Sequence, residues 1–187
     1  MNTKPVIVLG VTGGIAAYKT ADLCSKLIQT GFDVQVVMTE NATRFVTPLT
    51  FQTLSQRPVI TSLWETPDWK PEHVALADRA GLLVVAPCTA NFLGKYAHGI
   101  ADDALSTFAV SCQCPVLLAP AMNPKMWQHP AVAANVELLK SRGVDFVGPA
   151  AGHVACGPDG VGRMASVEEI RAAITALCSK QAPGRIS

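Results

Sequence analysis

The chain has 187 residues, 49% of them apolar and 16% charged. That suits one globular domain with a sizeable core and excludes disorder for most of the chain. The 15 Lys and Arg nearly balance the 14 Asp and Glu, for a net charge of +1. No basic excess marks a nucleic-acid or anionic-membrane binder, and no acidic tail is present.

Cys24, Cys88, Cys112, Cys114, Cys156 and Cys178 form no CxxC pair and no repeated spacing, which argues against zinc and for no metal site. The first apolar run is broken at once by glycine, so it is too short for a signal peptide or a membrane span. The expected setting is the cytoplasm, with reduced thiols.

In chain order, residues 5–9 are a β-branched run that predicts a buried strand, ending in Gly10-Val11-Thr12-Gly13-Gly14. Residues 15–30 predict a helix stopped by Gly31, and 33–39 a second strand. Residues 41–56 are polar and partly helical, interrupted by Pro48. This is a βαβ unit. Residues 57–72, with three prolines and two tryptophans, read as irregular: a surface loop, or a segment folded over a ligand or a neighbouring subunit.

Residues 73–80 predict a helix, 82–86 a strand, 102–111 a helix and 115–119 a strand. Residues 131–141 then predict a helix, 144–147 a strand, 148–164 a glycine-rich loop and 167–178 a last helix. Nothing repeats and no linker divides the chain. Residues 1–180 are read as one domain and 181–187 as a frayed tail. Five apolar strands alternating with helices predict a three-layer α/β domain, Rossmann- or flavodoxin-like, with a mostly parallel sheet. Ligands bind at the carboxyl ends of such strands, which gathers segments 10–15, 39–41, 86–91 and 120–123 on one rim.

The first of these loops reads either as a phosphate cradle at a helix N-terminus or as a tight turn. It is not GxGxxG, and Lys19 does not have Walker spacing, which disfavours nucleoside-triphosphate chemistry. Thr39, at the end of strand two, suits a hydroxyl donor to a mononucleotide phosphate. Glu40 as a ribose ligand lacks the matching glycine fingerprint.

His73 begins a helix. It is either structural or a base whose neutral form the helix terminus favours. Asn123, before Pro124, is either a helix cap or an amide donor to a carboxylate. Cys156 lies among glycines, which suits a lid carrying an acid or a nucleophile. Cys24 and Cys178 read as apolar filler, and Cys88 as a residue whose backbone matters more than its sulfur.

Several segments carry a resemblance. Gly13-Gly14-Ile15-Ala16-Ala17-Tyr18-Lys19 is similar to a flavin loop, and His73-Val74-Ala75-Leu76 to an active-site histidine segment. Pro87-Cys88-Thr89-Ala90-Asn91 is similar to a Pro-Ala-Ser/Thr-Ala-Asn motif. Residues 120–127 match PxMNxxMW in every fixed position, and 155–164 resemble a substrate-clamp loop. From about residue 4 to residue 170 the chain resembles the flavin-containing cysteine decarboxylases, the phosphopantothenoylcysteine decarboxylase branch in particular. Cys88, Phe92, Val154 and Pro158 depart from the family pattern.

The resemblance implies FMN as cofactor and conversion of 4'-phosphopantothenoylcysteine to 4'-phosphopantetheine in coenzyme A biosynthesis. The implied course is thiol oxidation to a thioaldehyde, loss of CO2 and re-reduction of the enethiolate. It implies that His73, Asn123 and Cys156 are catalytic. Gly13, Gly14, Ile15, Thr39, Phe51, Cys88, Thr89, Ala90 and Asn91 would hold the cofactor. Met122, Asn123, Ala155, Cys156, Gly157, Arg163 and Met164 would hold the substrate.

It also implies a homotrimer or a trimer-based dodecamer, with residues 57–72 contributing to the contact. In many bacteria this domain is fused to a ligase, and these residues read as the decarboxylase part. Three rivals share features with this reading. A peptidyl-cysteine decarboxylase shares the chemistry. A flavin prenyltransferase would need a basic allyl-phosphate site. A non-catalytic regulator would be expected to lack His73 or Cys156.

Overall fold

The computed structural model describes residues 6–64, 72–153 and 159–181, with the backbone alone for 72–75 and 181. β1 (Val6–Val11) leads into α1 (Ala17–Gln29), β2 (Asp33–Met38), α2 (Glu40–Thr43) and α3 (Pro48–Ser55). There follow α4 (Glu72–Arg79), β3 (Ala80–Cys88), α5 (Ala90–His98), α6 (Ala104–Ser111) and β4 (Val116–Pro120). The chain continues through α7 (Pro124–Trp127), α8 (Pro130–Ser141), β5 (Asp145–Phe146), β6 (Ala150–Gly152), β7 (Gly160–Arg163) and α9 (Val167–Gln181).

β1 to β5 form one sheet in the order β2-β1-β3-β4-β5, and every pairing is parallel. The two-residue alternation of strand side chains divides the core into two layers. Ile7, Leu9, Val34, Val36, Leu82 and Val84 face Leu23 and Leu27 of α1 and Ile170 and Ile174 of α9. Val6, Val8, Leu83, Val85 and Leu118 face Phe92 and Leu93 of α5, Leu105 and Phe108 of α6 and Val136 of α8. Both faces are covered, which is why the strands read as continuous apolar runs. Each fully buried aliphatic side chain stabilises the fold by about 1.5–3 kcal/mol.

Three expectations need correcting. The sequence reading passed over α5, yet Ala90–His98 is a helix. Thr89 caps it, accepting from Phe92 N at 3.4 Å, and Gly99 ends it at φ +69°, a conformation L side chains rarely adopt. The segment expected as a loop over 148–164 contains the antiparallel pair β6–β7. Small residues with no clear alternation gave that pair no strand signature. The last helix, expected over 167–178, runs to Gln181; residues 182–187 of the expected tail lie outside the described residues.

Residues 57–64 are attached to the sheet rather than looping away from it. Ile60 donates to Val36 O at 3.0 Å and accepts from Met38 N at 2.8 Å, so it lies along the outer edge of β2. Gln35 Nε2 reaches Pro58 O at 2.7 Å, and Arg57 pairs with Asp33 at 2.7 Å. The edge strand is thereby covered. No helix of the described residues is long and apolar enough to cross a membrane.

Candidate functional site

In a sheet of order 2-1-3-4-5 the direction of winding reverses between β1 and β3, and the carboxyl ends of these strands flank a crevice. The four segments expected on one rim do meet there. Thr39 N donates to Val11 O at 3.0 Å, joining the ends of β2 and β1. Ala121 N donates to Cys88 O at 3.0 Å, joining the ends of β4 and β3. Gly13 lies against Asn41.

The β1 loop turns tightly: Gly14 N donates to Thr12 O and Ala17 N to Gly14 O, both at 2.9 Å. No side chain caps α1, and no acidic residue lies in its first turn. The positive end of its dipole therefore suits an anion. A Cβ on Gly14 would lie in ordinary van der Waals contact with Thr89 Cγ2 at 3.6 Å and Pro87 Cγ at 3.9 Å, so the β1 loop and the loop after β3 face each other closely here. Ile15, at the lip, is 59% exposed.

Thr39 and Thr89 do similar work. Each hydroxyl oxygen caps a helix, accepting from Ala42 N at 3.3 Å and from Phe92 N at 3.4 Å. Capping uses a lone pair and leaves the O–H proton for donation to a phosphate. Ala90 and Asn91 open α5 beside them, and Asn91 is exposed. The Cys88 thiol is wholly buried, and burial pushes its pKa up strongly, so it stays neutral. What Cys88 offers the rim is its backbone. Phe51 is also wholly buried, on the face of α3 that packs into the core.

On the β4 side, Asn123 caps α7: its Oδ1 accepts from Lys125 N at 2.9 Å. That assigns donation to the Nδ2 end. Met122 N donates to Gly162 O at 2.9 Å, so β7 lies against this loop. Arg163 is exposed beside Gly152, whereas Met164 is 2% exposed and packs in the α1–α9 core. Across the ends of the hairpin, His153 Nδ1 lies 3.0 Å from Asp159 Oδ1. Ala155, Cys156 and Gly157 lie outside the described residues, as does the side chain of His73; the backbone of His73 is in the first turn of α4. Among the described residues, no group of three or more His, Cys, Asp or Glu is placed to hold a metal.

The sequence reading missed two features. Thr12 is 2% exposed and binds both Pro87 and Thr89. Its polar side chain beside two glycines was the available signal. The Met122–Gly162 pairing is a contact between backbones, for which sequence carries no direct mark.

These loops fit a mononucleotide cofactor. They combine an anion seat at α1, small glycines in the β1 loop and two hydroxyl donors. The family comparison agrees, for the flavoprotein family matches residues 1–179, and the chain belongs to it.

Among individual proteins, it is 48% identical over 173 residues to the coenzyme A biosynthesis bifunctional protein CoaBC of Bacillus subtilis. That match covers 91% of this chain and 42% of the relative. With the Borreliella burgdorferi protein of the same name it is 39% identical over 170 residues, covering 91% of this chain and 44% of that one. The chain thus spans less than half the length of these curated relatives.

Among solved structures, a Cys-to-Ser variant of PPC decarboxylase in complex with pantothenoylaminoethenethiol superposes with a TM-score of 0.83. It is 28% identical, over 95% of this chain and 100% of that one. The FMN-dependent cysteine decarboxylase SpaF gives a TM-score of 0.80 at 31% identity, over 94% and 96% of the two chains. The FMN-binding protein AtHal3 gives 0.81 at 28% identity, over 96% and 100%.

Proposed function

We propose that this chain binds FMN at the β1–β3 crevice and decarboxylates 4'-phosphopantothenoylcysteine to 4'-phosphopantetheine. The observation that supports the reading is the hydrogen bond from Ala121 N to Cys88 O, which joins the loop leading to Asn123 to the loop that follows β3. The named relatives support it, CoaBC by sequence and PPC decarboxylase by fold.

The alkyl carboxylate of a cysteine has no neighbouring carbonyl to take the electrons that CO2 leaves behind. FMN, when bound, supplies a two-electron sink and later returns the pair. The protein's residues do the rest. Thr39, Thr89 and the amides of the β1 loop hold the cofactor phosphate. His73 takes the thiol proton, since a thiol of ordinary pKa near 8.5 is mostly protonated at neutral pH. Asn123 Nδ2 binds the substrate carboxylate. A neutral amide holds that charge less tightly than Arg would, so less ground-state binding is lost as CO2 departs. Cys156 donates the proton that completes the saturated thiol, and the loop carrying it excludes water.

The working form is a homotrimer or trimer-based dodecamer in the cytoplasm, acting on a small molecule without nucleic acid or membrane. The exposed apolar side chains Ile15, Tyr18, Phe45 and Leu49 beside the β1 and β2 ends suit a subunit contact.

The test is mass spectrometry of products after incubation with the phosphorylated substrate. Loss of one CO2 with no other net change is the expected result; an unchanged substrate in the presence of bound FMN refutes the assignment. The likeness to SpaF, a cysteine decarboxylase by its name, leaves one second reading, a cysteine carried at the end of a peptide. Turnover of such a peptide in place of the small substrate would select it. Cys156→Ser is expected to release CO2 and accumulate the enethiol, and full conversion to the saturated thiol would remove Cys156 from the donor role.

A further inference from the structure

The two loops that wall the crevice are joined by one side chain. After a register shift at Val6, β1 and β3 pair from Ile7 and Leu82 as far as Gly10 and Val85, where their direct pairing ends. Beyond that point Thr12 Oγ1 donates to Pro87 O at 2.6 Å and accepts from Thr89 N at 3.1 Å. A hydroxyl has one proton, so the carbonyl takes it and the amide must find a lone pair. The two bonds therefore fix the direction as well as the spacing of the link.

Pro87 and Thr89 are also the residues that a Cβ on Gly14 would touch. Thr12 thus fixes how closely the β1 loop approaches the Pro87–Thr89 turn. Thr20 provides an internal contrast. It is equally buried, and its Oγ1 donates to Ala86 O at 2.7 Å, but it ties α1 to the end of the strand and does not reach the loop.

We propose that Thr12 is a positioning residue for the cofactor, holding the β1 loop and the Thr89 turn at the separation FMN requires. This rests on the FMN reading above.

The experiment compares Thr12→Val, Thr12→Ser and Thr20→Val. FMN is stripped from each protein, the apoprotein is titrated with FMN by flavin fluorescence, and the apoprotein Tm is recorded alongside. Thr12→Val is expected to raise the FMN Kd about tenfold, the equivalent of one hydrogen bond of ordinary strength. Thr12→Ser restores the hydroxyl and is expected to stay within about threefold of the parent. Thr20→Val is expected to lower Tm as much as Thr12→Val does, yet to stay within about threefold in Kd. Where the Val variant is not recovered folded, Thr12→Ala takes its place.

An unchanged Kd in Thr12→Val, or a loss no greater than that in Thr20→Val, overturns the proposal and leaves Thr12 a structural residue. Failure of the unsubstituted apoprotein to bind FMN overturns the cofactor reading, and this proposal with it.

Discussion

Met122 and Gly162 meet backbone to backbone: the Met122 N–H donates to the Gly162 carbonyl at 2.9 Å, and a Cβ on Gly162 would overlap the Met122 carbonyl oxygen. The strand that follows the clamp loop is thereby fixed to the loop that carries Asn123. Two segments read separately in the sequence are held together as one unit.

Gly162→Ala tests that unit. The neighbour of the added methyl is backbone, which cannot rotate away, so β7 must shift. Overpacking of this kind costs about 1–3 kcal/mol. The expected outcome is a lower Tm and a raised KM with FMN content unchanged, because the β1 loop is not touched. Steady-state kinetics and the flavin absorbance of the purified variant check it. Loss of FMN instead would mean that β7 supports the cofactor seat.

Asn123→Asp separates capping from chemistry. Asp caps a helix as well as Asn does, so Lys125 N keeps its acceptor and α7 keeps its start. The change removes the amide donor and places a negative charge toward the substrate carboxylate. Turnover is expected to fall at least about a hundredfold, because a like charge set against the substrate carboxylate costs several kcal/mol. Yellow colour and Tm are expected to hold. Normal turnover would leave Asn123 as a cap and nothing more.

Much of this was legible in the sequence because strands buried on both faces are plain apolar runs. Val6 to Leu9, Leu82 to Ala86 and Val116 to Ala119 mark the sheet without help from context. The rim followed from their order. The helix after Thr89 was hidden because Pro87 to Asn91 drew attention as a motif, and Gly94 lies in its middle. The hairpin β6–β7 was hidden for a different reason. Its residues are mostly glycine and alanine, and it is held by pairing with its own partner and by Met122. Long-range hydrogen bonds such as those of Thr12 leave no periodic trace. Phe51, expected at the cofactor, lies in the core, where an aromatic among apolar neighbours packs by default.

The junction of α5 and α6 gives a pH prediction. Lys95 Nζ lies 2.6 Å from Asp102 and 2.9 Å from Asp103, and Asp103 caps α6 by accepting from Ser106 N at 2.8 Å. The hydrogen bond from Lys95 lowers the Asp102 pKa. Burial opposes the charge on Lys95, but its bonds to Asp102 and Asp103 outweigh burial and raise its pKa. The Asp102 contribution is therefore present above the ordinary carboxylate pKa, near 3.9, and is lost as pH falls through its lowered folded value. The Lys95 contribution is present below about pH 10.4 and is lost as pH rises through its raised folded value. Lys95→Met is expected to flatten both limbs of a Tm-against-pH profile, the acid limb most visibly. An acid limb as steep as the parent's would show that other carboxylates set it.

The cysteines differ in reactivity for reasons the structure states. Burial raises the pKa of Cys24 to about 11 and also raises those of Cys88 and Cys178. Cys112 and Cys114 are half-buried at the connection between α6 and β4, where Cys112 Sγ donates to Ala109 O at 3.5 Å. The neighbouring Cys114 thiol and burial raise the Cys112 pKa, whereas hydrogen bonding from the Cys112 side and from the Leu83 amide lowers that of Cys114. A thiolate is the species that alkylates, so among the described cysteines Cys114 is expected to react first with iodoacetamide. Peptide mapping after limited treatment near neutral pH reads the order. Cys112→Ser keeps a donor beside Cys114 and is expected to preserve its reactivity; Cys112→Ala removes that donor and is expected to slow it. If Cys24 or Cys88 reacts ahead of Cys114 in the folded protein, access rather than thiolate character governs the order, and the hydrogen bond does not activate Cys114.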